Sequence, residues 1–110
     1  MQEVTDANFA DTLGATDKLV IVDFWAPWCG PCRMLSPVLE KVSHEYQELT
    51  VLKMNVDENP DIPSQIGVRA LPTLVAFLNG SVIGHEVGAL SQEKLRSWMQ
   101  DLLKKAKDTK

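Results

Sequence analysis

Apolar and polar positions change period several times along this chain, and each change predicts an element. Leu19-Val20-Ile21-Val22-Asp23-Phe24-Trp25 is a nearly unbroken apolar, β-branched run. That is the pattern of a strand covered on both faces. From Pro31 to about Tyr46 the period becomes helical, with Met34, Leu35, Val38, Leu39, Val42 and Tyr46 on one stripe. Pro37 lies inside that helix and is expected to kink it, because it removes one hydrogen bond. Leu49 to Val56 reads as a second strand. Asn59-Pro60 then offers an N-cap and a proline at the first helical position, for a short helix to Ile66 that Gly67 ends. Thr73 to Leu78 is another apolar strand, joined through Asn79-Gly80 to Ser81–Val87 in a hairpin. Ser91 caps a last helix with Leu95, Trp98, Met99, Leu102 and Leu103 at core spacing. Near the start, Thr5 is the expected N-cap of a helix from about Asp6 to Leu13, ended by Gly14. Val4 and Phe9 stand at the spacing of a hydrophobic staple there.

Strands and helices alternate first and a hairpin comes last. The expected fold is therefore α/β, a mixed sheet parallel at its centre with helices on both faces. With no internal repeat or linker, one domain over residues 1–110 is expected.

Composition narrows the function classes. Of 110 residues, 15 are acidic and 11 basic, a net charge of −4. Nucleic acid is disfavoured as a partner, since phosphate binding needs a concentrated basic face. Lys104, Lys105, Lys107 and Lys110 gather at the end, where cations complement a helix dipole. No apolar run approaches the ~20 residues of a membrane span. The polar, acidic start Met1–Asp6 resembles neither a signal peptide nor an Arg-rich transit peptide, so a cytoplasmic location is expected. A structural disulfide is a poor expectation in that compartment, yet the chain's two cysteines stand three positions apart.

They lie in Trp28-Cys29-Gly30-Pro31-Cys32, between the first strong strand and the long helix. A helix N-terminus presents unpaired N–H groups and partial positive charge, which favour a thiolate. Cys29 is then the candidate nucleophile against a foreign disulfide, and Cys32, one turn on, resolves the mixed disulfide. Pro31 suits the first helical turn, and Gly30 leaves room for a substrate chain. The residues alone also permit a stapling disulfide or half of a zinc site. A staple closing so short a loop stabilises little. Zinc would need further ligands, and only His44 and His85 are present, too far apart for the usual pair.

Asp23 interrupts the apolar strand six residues before Cys29. A carboxyl buried there needs a raised pKa or a partner. It is a candidate proton acceptor and donor for Cys32, or else a half-exposed residue at a strand end. Lys53 in the next strand is its candidate partner, or an exposed lysine on an alternating strand. Pro72 in Leu71-Pro72-Thr73 opens a strand and has either isomer open to it. Of Trp25 and Trp28, the loop residue Trp28 is the better candidate for exposure.

Val22-Asp23-Phe24-Trp25-Ala26-Pro27-Trp28-Cys29-Gly30-Pro31-Cys32 resembles the active-site segment of the thioredoxins. The resemblance runs from Val4 to about Leu103 and takes in Asn55-Val56-Asp57, Gly67–Thr73, Asn79-Gly80 and Val87-Gly88-Ala89. It implies the thioredoxin fold, a central five-stranded mixed sheet flanked by four helices. It implies a protein-disulfide reductase with Cys29 as nucleophile and Cys32 as resolving thiol. Asp23 matches the family's buried acid–base carboxyl, Lys53 its nearby lysine, and Pro72 the cis-proline facing the disulfide. The Leu71 backbone matches the one that pairs with an extended substrate strand. Trp28 and Gly88 match the contact surface, with Gly30 and Pro31 between the cysteines. The Gly-Pro pair resembles the strongly reducing members, whereas oxidising and isomerising relatives usually carry a His there. Ala70-Leu71 departs from the commoner Ser or Gly followed by Ile, which bears on substrate preference. The implied partners are oxidised proteins and a thioredoxin reductase. The chain shows no dinucleotide or iron–sulfur motif, so no cofactor and no metal are expected, and a monomer is the default expectation. A binding module that uses the fold without turnover, and a disulfide oxidase or isomerase, are the rival functions.

Overall fold

The structure, a computed structural model, describes residues 1–108; Lys110, the last of the terminal lysines, lies outside the described residues. In chain order the elements are β1 (Gln2–Glu3), α1 (Phe9–Gly14), β2 (Leu19–Trp25), α2 (Gly30–Ser43), β3 (Leu49–Asn55), α3 (Asp61–Ile66), β4 (Thr73–Leu78), β5 (Ser81–Val87) and α4 (Gln92–Asp108). The strands form one five-stranded sheet in the order β1-β3-β2-β4-β5. β1 and β2 run parallel to β3, and β4 and β5 are added antiparallel.

The central place of β2 explains its composition. Alternate residues of a strand face opposite sides, and both sides of this one are covered. Leu19 and Ile21 pack with Leu35, Leu39 and Val42 of α2 and with Leu95, Met99 and Leu102 of α4. Val20, Val22 and Phe24 face Leu13 of α1, with Ile62 and Ile66 of α3 against the same cluster. By the same alternation Asp23 and Trp25 continue the row that faces α2. Asn79 and Gly80 both have positive φ (52° and 82°), the backbone of a tight hairpin turn between β4 and β5. No described helix is long and apolar enough to cross a membrane.

Several boundaries differ from the sequence expectation. β1 was not foreseen from the pattern, because two residues carry no period; its pairing with β3 makes it a strand. α1 starts at Phe9, not Asp6. Thr5 and Asn8 exchange bonds instead, Thr5 N donating to Asn8 Oδ1 (2.7 Å) and Asn8 N to Thr5 Oγ1 (3.2 Å). α2 ends at Ser43, short of Tyr46, and Met34 is 69 % exposed rather than on the buried stripe. Asn59 does not cap α3. Its side-chain Oδ1 accepts from Asp6 N (2.8 Å) and its side-chain Nδ2 donates to Asn55 O (3.0 Å). The first amides of α3 are capped from afar: the Asp6 carboxylate accepts from Asp61 N (3.0 Å) and Ile62 N (2.8 Å).

Candidate active site

The chain leaves β2 through a tight turn in which Cys29 N donates to Ala26 O (3.1 Å). Pro27 stands second in that turn, where its fixed φ suits the backbone. Cys29 is the N-cap of α2, with φ −84° and ψ 109°. Its sulfur accepts from Cys32 N (3.2 Å), so it occupies the place of a capping side chain. Cys29 and Cys32 are joined by a disulfide, with Cα atoms 5.3 Å apart. Both are buried, whereas Trp28, Gly30 and Pro31 around them are exposed.

Three further bonds pin this loop. Trp28, 66 % exposed, donates its indole N–H to Asp57 Oδ1 (3.2 Å). Asp57 N in turn donates to Asn55 Oδ1 (2.9 Å). The Arg33 guanidinium reaches back to Pro27 O (2.8 Å). Arg33 and Asp57 were not singled out from sequence. A cation just after Cys32 and an acid in Asn55-Val56-Asp57 were the available signals.

Behind the disulfide lies a cavity of ≈ 160 Å³ whose lining includes Asp23, Trp25, Cys32, Arg33, Ser36 and Lys53. Asp23 is 2 % exposed, which removes the reading of a half-exposed strand end. Its Oδ1 and the Trp25 indole nitrogen are buried with no hydrogen-bond partner among the described residues. Burial pushes the Asp23 carboxyl up from 3.8 to about 7, against the opposing pull of the Lys53 charge. Lys53 is half-buried, and it stands directly beside Asp23 in the register of β2 and β3. The two form no ion pair with one another, unlike Arg96 and Glu45. The Lys53 ammonium instead lies over the Trp25 ring, 5.3 Å from its centroid.

The Leu71-Pro72 peptide bond is cis. Leu71 packs against the cluster of Ala26, Cys29 and Cys32. Gly88 N donates to Pro72 O (2.9 Å), which ties the start of the segment after β5 to the cis-proline. Gly88 has φ +98°, a conformation that disfavours any side chain. The fold thus gathers Cys29, Cys32, Asp23 and Leu71 around one sulfur pair. It sets Lys53 at the edge of the cavity, without the ion pair considered for it. His44 and His85 are exposed, one at the end of α2 and the other on β5.

The chain matches a protein-family model described as Thioredoxin over residues 1–101. It is 48 % identical over 97 residues to a thioredoxin of Pseudomonas aeruginosa, covering 87 % of this chain and 90 % of that one. It is 45 % identical over 100 residues to a thioredoxin of Rickettsia typhi, covering 90 % and 95 %. To a thioredoxin of Synechocystis it is 43 % identical over 102 residues, covering 92 % and 95 %.

Proposed function

The chain belongs to the thioredoxin family, and on that premise we propose that its thiol–disulfide exchange runs through Cys29 as nucleophile and Cys32 as resolving thiol. The protein is a thiol–disulfide oxidoreductase, a protein-disulfide reductase of the thioredoxin type. One observation carries the division of roles: Cys29 holds the N-cap of α2 while Cys32, one turn in, lines the Asp23 cavity.

The Cys29 thiolate attacks one sulfur of the substrate disulfide, forming a Cys29 mixed disulfide and releasing the first substrate thiolate. The Cys32 thiol passes its proton to the Asp23 carboxylate, and the Cys32 thiolate attacks the Cys29 sulfur. The Cys29–Cys32 disulfide forms and the second substrate thiolate leaves. Two electrons pass to the substrate; Asp23 returns the Cys32 proton to the second substrate thiolate, and the first takes up from solvent the proton that Cys29 lost there on ionising. A carboxyl near 7 matches this task, because an acid–base group works best with a pKa near the operating pH. In this reading Lys53 tunes Asp23 by its charge. Pro72 and the Leu71 backbone receive an extended stretch of the substrate, and Trp28, Gly30, Pro31 and Gly88 form the surface it meets.

A reductase must return two electrons to the disulfide. We assign this role to a thioredoxin reductase, with the protein acting as a cytoplasmic monomer built as one domain. The test is alkylation of the reduced protein across pH, with reduction of insulin disulfides from dithiothreitol alongside. Cys29 is expected to react as a thiolate well below the pH at which free cysteine ionises, and Cys29→Ser to abolish insulin reduction. A Cys29 no more reactive at neutral pH than free cysteine overturns the assignment.

A further inference from the structure

Asp23 and Lys53 are neighbours in register on adjacent strands, on the sheet face that looks toward α2. An opposite charge at such a site ordinarily closes into an ion pair, since a buried carboxylate gains most from the nearest cation. Here the ammonium lies over the Trp25 ring instead. Trp25 follows Asp23 by two positions on β2, so both side chains fall on the same face. Its ring presents a negative π-face, to which an ammonium within about 6 Å of the centroid is attracted.

We propose that Trp25 is a positioning residue for the exchange reaction: its indole face holds the Lys53 ammonium off the Asp23 carboxyl, so that this carboxyl stays free to take and return the Cys32 proton. The proposal rests on the acid–base role given to Asp23 above. The same side chain closes one wall of the cavity that Asp23 shares with Cys32. Among the described residues, the charged or titratable groups that line the cavity with Asp23 are Lys53 from β3 and Cys32 and Arg33 from α2. β4 presents the apolar Leu74 opposite it. Of these, Lys53 is the cation adjacent in register, and its placement decides how far the carboxyl is pulled toward ionisation. An ion-paired Asp23 would ionise far below neutral pH and be a poor acceptor for a thiol proton.

The oxidised protein isolates this effect, because its disulfide leaves no thiol to titrate. The measurement is the midpoint of the Asp23 carboxyl carbon by NMR, in the parent chain, Trp25→Leu, Trp25→Phe, Lys53→Met and the double variant Trp25→Leu/Lys53→Met. Trp25→Leu is expected to lower the midpoint by about one pH unit, as an approaching opposite charge does. Trp25→Phe, which keeps a smaller ring, is expected to lower it less. Lys53→Met is expected to raise it. Loss of the ring also admits water, which lowers a buried carboxyl by itself, and the double variant separates the two causes. Without Lys53, removal of Trp25 is expected to move the midpoint by much less than with it. An unchanged or raised midpoint in Trp25→Leu, or an equal fall with and without Lys53, overturns the proposal. If Trp25→Leu does not fold, Trp25→Phe against Trp25→Phe/Lys53→Met carries the same comparison. The acid–base role itself is read separately, from Cys32 alkylation in reduced Asp23→Asn. An unchanged pH profile there defeats that role whatever the carboxyl titration shows.

Discussion

Asp23 sits where its charge is penalised, and the penalty has a definite sign. Its carboxyl ionises near 7 in the folded protein against an ordinary 3.8, so the folded state binds the proton more tightly. The stability this brings is complete below the unfolded value and is lost as pH rises toward the folded one. Above about pH 7 the full difference, about 4 kcal/mol, is set against folding. Denaturant unfolding of the oxidised protein is expected to show about 3 kcal/mol less stability at pH 8 than at pH 5 from this group. In Asp23→Asn that slope should disappear and stability at pH 8 should rise by a few kcal/mol. A variant as pH-sensitive as the parent would show that the carboxyl is not penalised in this way. The residue most costly to bury is thus the one assigned to move protons, at a position where burial also supplies the pKa the chemistry needs.

At the scale of elements, α2 is ordinary in its length and apolar stripe and unusual in its first turn. A cysteine takes the place of the usual Ser, Thr, Asp or Asn cap, so the orphan amide of Cys32 is spent on sulfur. The neighbouring turns are held by borrowed groups. Arg33 clamps the turn before its own helix, and Asp57, beyond β3, holds Trp28. α3 shows the same device: its six residues begin on a carboxylate from near the N-terminus, 55 residues earlier in the chain. Asp6→Ala is expected to cost about 1 kcal/mol in urea unfolding, the ordinary worth of an N-cap. Faster hydrogen exchange at Asp61 and Ile62 would accompany it. Unchanged exchange at those two amides would show that the cap is dispensable.

At the scale of the whole molecule, the sheet carries the site at one end. The disulfide sits where β2 gives way to α2, and Leu71, which precedes the cis-proline before β4, packs against its cluster. Because the bridge spans a sequence separation of 3, it constrains little of the unfolded chain. The oxidised protein is expected to exceed the reduced one in unfolding free energy by only about 2 kcal/mol. A difference of 5 kcal/mol or more, measured in denaturant at one pH, would mark the bridge as a structural staple. Much of this arrangement was legible in the residues. β2, β4 and β5 fall where an unbroken apolar run and an Asn-Gly turn put them, because burial on both faces and a turn needing positive φ leave little choice of residue. Cys29, Cys32 and Asp23 were legible for the opposite reason: each conflicts with its surroundings, and such conflicts gather at functional sites. Tertiary structure alone decided the rest. The two residues of β1 become a strand only through their pairing with β3. Asn59 gave up the cap of α3 because Asp6, 55 residues away in the chain, reaches those amides first. The isomer at Pro72 had no signal in its own neighbours; only the family resemblance implied cis, as found. Above all, the adjacency of Asp23, Lys53 and Trp25 let the ammonium choose the ring over the carboxyl, and a choice between two neighbours is made only once the strands lie side by side.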